Sequence, residues 1–86
     1  MIQDEVKKLL KKGESESTEF KENFDREAAV AFTNTKGGTI LIGVSDKGKV
    51  KGVKTRKETL KDWVNQISQG TEPRIIPEIE QTSCGL

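Results

Sequence analysis

Four residues in the first half of the chain have the side chains and spacing for metal-assisted work on a phosphodiester: Glu14, Glu19, Lys21 and Asp46. Glu19-Phe20-Lys21 is a Glu-x-Lys pair whose charged side chains share one face if the segment is a strand. Glu14, Glu19 and Asp46, if they converge, supply the oxygens that a Mg²⁺ or Mn²⁺ ion needs, and Lys21 can position or deprotonate a water. The same residues also describe a solvated strand face with an exposed ion pair, contributing ~0–1 kcal/mol.

A second constellation is purely electrostatic. Residues 47–57 contain Lys47, Lys49, Lys51, Lys54, Arg56 and Lys57 and no acid. On a hairpin leading into a helix these six form a basic ridge suited to phosphate. If about four of them met phosphates, affinity would fall with salt at a log–log slope of roughly −3 to −4. The competing explanation is an edge strand guarded against aggregation by lysines. The overall charge of +1 conceals this asymmetry, because residues 1–27 hold eight acids against six bases and residues 58–86 hold five acids against two.

Other chemistries find little support. The Gly37-Gly38 pair precedes an apolar strand and lacks the Gly-Lys-Ser/Thr ending of a phosphate loop, so backbone freedom at a reversal explains it better than ATP binding. No histidine is present, which removes the commonest general base and the usual zinc sites. Ser15, Ser17 and Cys84 have no evident partner base for nucleophilic catalysis. Asn34 reads as a helix C-terminal residue and Trp63 as part of an apolar helical stripe, leaving no aromatic residue clearly free to stack on bases.

These residues must be positioned by a short series of elements. Ile2, Val6, Leu9 and Leu10 recur at helical spacing, with Gly13 as a stop. Residues 18–22 alternate as a strand, turning Thr18 and Phe20 to one side. Asp25 caps a helix rich in small residues that ends near Thr35 and Lys36. The run Thr39-Ile40-Leu41-Ile42-Gly43-Val44 is the one sustained apolar stretch and makes the central strand. Asp46-Lys47-Gly48 is a reverse turn, and residues 49–53 are expected as an antiparallel partner. Thr55 and Glu58 fit a capping box for a helix carrying Leu60, Trp63, Val64 and Ile67 and closed by Gly70. Pro73 and Pro77 bracket Ile75 and Ile76 in an extended segment suited to a sheet edge.

The chain has 86 residues, of which 31% are hydrophobic and 34% charged. Such a chain makes one domain, hiding only ~60–65% of its unfolded surface. No apolar run approaches a membrane span and no signal-peptide pattern opens the sequence. The single Cys84 cannot close an internal disulfide, which suits a reducing cytoplasm. The expected fold is a small α/β (α+β) domain over residues 1–86 with a mixed or mainly antiparallel sheet and about three helices.

Taken together, Glu14-Ser-Glu-Ser-Thr-Glu-Phe-Lys21, the run from Asn34-Thr-Lys-Gly-Gly through Gly43-Val44, the turn Asp46-Lys-Gly48 and Gly52 resemble the Schlafen AlbA_2 domain. This domain has also been described as a divergent AAA, ATP-binding domain. The resemblance covers about residues 13–80. It implies an N-terminal, nucleic-acid-binding module of prokaryotic transcriptional regulators, truncated here on its C-terminal side, with further domains of the same parent chain downstream. It also implies an alternative, the metal-dependent endoribonuclease activity of animal Schlafen relatives. There the family's Glu-x4-Glu-x-Lys segment matches Glu14, Glu19 and Lys21. The family's aspartate after the Gly-Val strand falls approximately at Asp46, because Ser45 holds the first position after Val44. The leading expectation is binding of DNA or RNA through the 47–57 ridge. No cofactor is assigned to it, Mg²⁺ or Mn²⁺ enters only with the nuclease alternative, an ATP-binding regulatory domain is a second alternative resting only on the older family description, and a homodimer is left open.

Overall fold

The computed structural model describes residues 3–35 and 37–82, in the order α1 (Gln3–Lys12), β1 (Thr18–Lys21), α2 (Arg26–Thr35), β2 (Thr39–Ile42) and α3 (Lys57–Gly70). The expected helix over residues 1–12 therefore begins within the described residues at Gln3; Met1, Ile2, Lys36 and Cys84 lie outside them. In α1 the acids Asp4 and Glu5 occupy the first turn and Lys11 and Lys12 the last, each matching the helix dipole. Gly13 N–H closes the helix on Leu9 O at 3.0 Å.

The sheet corrects the expectation of mixed or mainly antiparallel pairing. It has two strands, and they run parallel, with Thr18 opposite Thr39 and Lys21 opposite Ile42. The reason is the connection: a strand, a helix and a strand return the chain in the direction in which it started. The expected antiparallel partner at residues 49–53 amounts to one isolated bridge, Val44 to Val50. Residues 73–77 carry no strand at all. The α3 cap is also displaced by one residue. Arg56, not Thr55, is the N-cap, and its N–H donates to Thr59 Oγ1 at 3.3 Å in place of a contact with Glu58.

The sheet lies between α1 and α2. Phe20 and Leu41 are register partners on one side and form the core with Val6 and Val44, with Leu9 and Leu10 packed against them. Phe20 is 1% exposed, the most completely buried large side chain among the described residues. Its burial stabilises the fold by ~1.5–3 kcal/mol. On the opposite side Ile40 and Ile42 approach Ala28 and Ala29 of α2. α2 begins as expected from Asp25, whose Oδ1 accepts from Ala28 N–H at 3.1 Å. α2 and α3 then pack closely at Gly70, beside Val30, and Asn34 Nδ2 donates to Gly70 O at 3.4 Å. Trp63 is half-buried, stacked on Phe24 at 5.0 Å between ring centroids.

The helix-to-strand reversal explains the glycine pair. Gly37 N–H donates to Phe32 O at 2.8 Å, a six-to-one bond that ends α2 with Gly37 at φ +70°. Gly38, at φ +124°, then passes so close to β1 that a Cβ there would lie 2.3 Å from Ser17 O. The adjacent Thr39 N–H uses that same oxygen to start the parallel ladder, at 2.9 Å. The pair is required by a close backbone crossing, which accounts for it without a bound phosphate.

Candidate nucleic-acid interface

The basic segment is built outward from the end of β2. Ser45 organises the turn three ways: its O accepts from Gly48 N–H at 2.9 Å, its Oγ from Lys49 N–H at 3.1 Å, and its N–H donates to Lys49 O at 2.9 Å. Lys51 and Gly52 N–H groups then both reach Gly43 O, at 2.7 and 2.8 Å. These bonds hold Val50 half-buried against the core side and leave Lys49 and Lys51 exposed on either side of it. The alternation continues with Val53 and Thr55 half-buried and Lys54 and Arg56 exposed.

All six cations, Lys47, Lys49, Lys51, Lys54, Arg56 and Lys57, are exposed. Among the described residues none of them makes an ion pair. Arg56 and Lys57 stand at the N-cap and first turn of α3, where the helix dipole favours negative charge. Two cations there oppose the dipole by ~0.3–1 kcal/mol each, a local conflict that a bound anion would reverse.

The acidic set is arranged differently. Glu14 Oε2 accepts from Phe20 N–H at 3.1 Å, so its carboxylate caps the outer edge of β1. Glu19 and Lys21 share one face of β1 and border the α2 side of the sheet. Lys21 Nζ lies 3.7 Å from Asp25 Oδ2. Lys21 also borders a shallow polar cleft together with Glu22, Asp25, Arg26 and Asp46. The structure thus brings Lys21 and Asp46 to one cleft, while Glu14 is engaged with a backbone amide. Among the described residues no three Asp, Glu, His or Cys side chains group as a metal site. Glu14, Glu19 and Asp46 therefore do not form such a group.

Sequence reasoning overlooked Asp25 as the ion partner of Lys21, and Glu22 and Arg26 as neighbours of Asp46. Phe24, stacked on Trp63, was missed as well. Glu22, Phe24 and Asp25 lie in the short connection between β1 and α2, which has no periodicity to betray its direction, and Arg26 is the first residue of α2.

With this geometry in place, a family comparison decides the assignment. The model of the family described as Schlafen, AlbA_2 matches residues 14–85. The chain belongs to the Schlafen AlbA_2 family. The match spans the acidic segment, both strands, the basic segment and α3 of this AlbA_2 domain. No solved structure matches the chain. Membership of the AlbA_2 family is consistent with a nucleic-acid-related role, and no described helix is long and apolar enough to cross a membrane.

Proposed function

We propose that this AlbA_2 domain binds nucleic acid through phosphate contacts made by residues 47–57, as one module of a transcriptional regulator. The observation that carries the reading is the set of six exposed cations, unpaired by any described acid, on one continuous turn-bridge-helix segment. Edge protection alone would not call for cations at the α3 N-terminus, where the segment has already left the sheet. The backbone bonds at Ser45 and Gly43 support the reading too, since they fix the direction of Lys49 and Lys51 before any ligand arrives. Contacts of this kind position a protein on phosphates without reading base sequence.

The test is affinity for labelled duplex DNA and single-stranded RNA at low salt, for the natural chain and for Lys49→Glu/Lys51→Glu/Arg56→Glu. The reading expects binding that the triple variant loses. Binding of equal strength by both proteins would remove the ridge from the mechanism.

A further inference from the structure

The two outer edges of the sheet are finished differently. On β1, Thr18 exchanges backbone hydrogen bonds with Ser15 at 3.0 and 3.4 Å, and Phe20 N–H is taken by Glu14. On β2, Thr39 N–H donates to Ser17 O and Gly43 N–H to Lys21 O. The alternation of a parallel ladder then turns the N–H and C=O groups of Ile40 and Ile42 to the other edge. Further along, residues 49–52 cover that edge, but beside Ile40 and Ile42 no backbone partner occurs among the described residues.

An apolar cavity of about 260 Å³ occupies this gap. Successive β2 residues of both orientations line it, so it follows the edge of the strand and not one face. Leu60 and Trp63 form a wall, and the buried Thr55 Oγ1, also at this cavity, has no hydrogen-bond partner. Such a site suits an extended segment that offers backbone groups and an apolar side chain.

The segment after α3 has those properties and is already there, since residues 79–82 border the cavity. Its start is tethered: Thr71 Oγ1 donates to Ser68 O at 3.2 Å and accepts from Ile75 N–H at 2.8 Å. Beyond the tether Glu78-Ile79-Glu80 alternates acid, apolar, acid, with Ile79 still 37% exposed. The cavity is also lined by Val50, Val53 and Thr55, whose neighbours in sequence are Lys49, Lys51, Lys54 and Arg56.

We propose that residues 78–82 are an autoinhibitory strap. The segment docks in extended form along the open edge of β2 at Ile40 and Ile42, with Ile79 entering the cavity. Glu78 and Glu80 then lie against the basic segment and compete with phosphate for its cations. The inference rests on the phosphate-binding reading above.

Two measurements test it. The first compares affinities of the natural chain and Glu78→Gln/Glu80→Gln for a labelled single-stranded RNA and a duplex DNA oligonucleotide. The strap predicts about three- to tenfold tighter binding by the variant at ~50 mM salt, a difference that closes as salt rises. The second is amide hydrogen exchange at Ile40 and Ile42, expected to be protected in the natural chain and unprotected in Ile79→Asp. Equal, measurable affinity of the two proteins overturns the strap and leaves the phosphate reading standing. Unprotected Ile40 and Ile42 amides in the natural chain overturn the strap equally. Failure of both proteins to bind either oligonucleotide overturns the phosphate reading and the strap with it.

Discussion

Replacing Gly38 by alanine should remove much of the domain's stability, and Gly37→Ala is its natural control. Both glycines have positive φ, +70° at Gly37 and +124° at Gly38, but only Gly38 is crowded. A Cβ on Gly37 meets nothing within 4 Å, whereas one on Gly38 meets Ser17 O at 2.3 Å and the Ser17 carbonyl carbon at 2.9 Å. These neighbours are backbone, so no side chain can rotate out of the way. Gly37→Ala should cost the conformational penalty alone, ~1–2 kcal/mol. Gly38→Ala adds to a penalty of ~1–3 kcal/mol the displacement of Ser17 O from its ladder bond with Thr39, ~0.5–1.5 kcal/mol, and the residual clash. A total of ~3–5 kcal/mol is large beside the ~4–13 kcal/mol expected for a domain of this length. Alanine lowers unfolded-chain entropy equally at both sites, by ~0.4–1 kcal/mol, so the difference between the variants isolates the contact. Urea unfolding followed by Trp63 fluorescence measures it. Two variants within ~0.5 kcal/mol of each other would refute the close crossing as the reason for the glycine.

Glu14→Ala should destabilise the fold by ~1–2 kcal/mol, because the Phe20 amide loses a charged acceptor at the strand edge; denaturant midpoints check this. A purely solvated glutamate would shift the midpoint negligibly. At Gly70, alanine gains helix propensity, but its Cβ would lie 2.6 and 3.0 Å from the two Val30 methyl carbons. Val30 is β-branched within α2 and has little rotamer freedom, so Gly70→Ala should lose ~1 kcal/mol net. Gly70→Ala combined with Val30→Ala should relieve the crowding, which a double-mutant cycle reads as coupling.

How much could be read in advance depended on whether a signal was local. The cap at Asp25, the Gly13 stop, the reversal at Gly37 and Gly38 and the burial of Phe20 follow from neighbouring residues and were legible. Strand direction was also implicit, since β1, α2 and β2 in succession force parallel pairing, but the Asp46-Lys47-Gly48 turn points to a hairpin and so to a mixed or mainly antiparallel sheet. That turn does form, yet Lys51 and Gly52 both spend their N–H groups on Gly43 O, so the pairing ends after one bridge. The displaced cap of α3 reflects a choice between the pairs Thr55 with Glu58 and Arg56 with Thr59 that spacing alone does not make. The six cations of residues 47–57 could be named from sequence, and their exposure follows from Val50, Val53 and Thr55 turning toward the cavity. Nothing in the sequence indicated that Glu14 would cap Phe20 N–H or that Lys21 would meet Asp25, because both contacts depend on how loops fold back on β1.

The central claim, that the 47–57 segment takes phosphate, is tested most directly by the salt dependence of duplex DNA binding. With about four cations in contact, log K should fall with log salt at a slope of roughly −3 to −4, and Lys51→Gln should reduce that slope by about 1. A slope near zero, or one left unchanged when Lys49, Lys51 and Arg56 are all neutralised, would contradict the account.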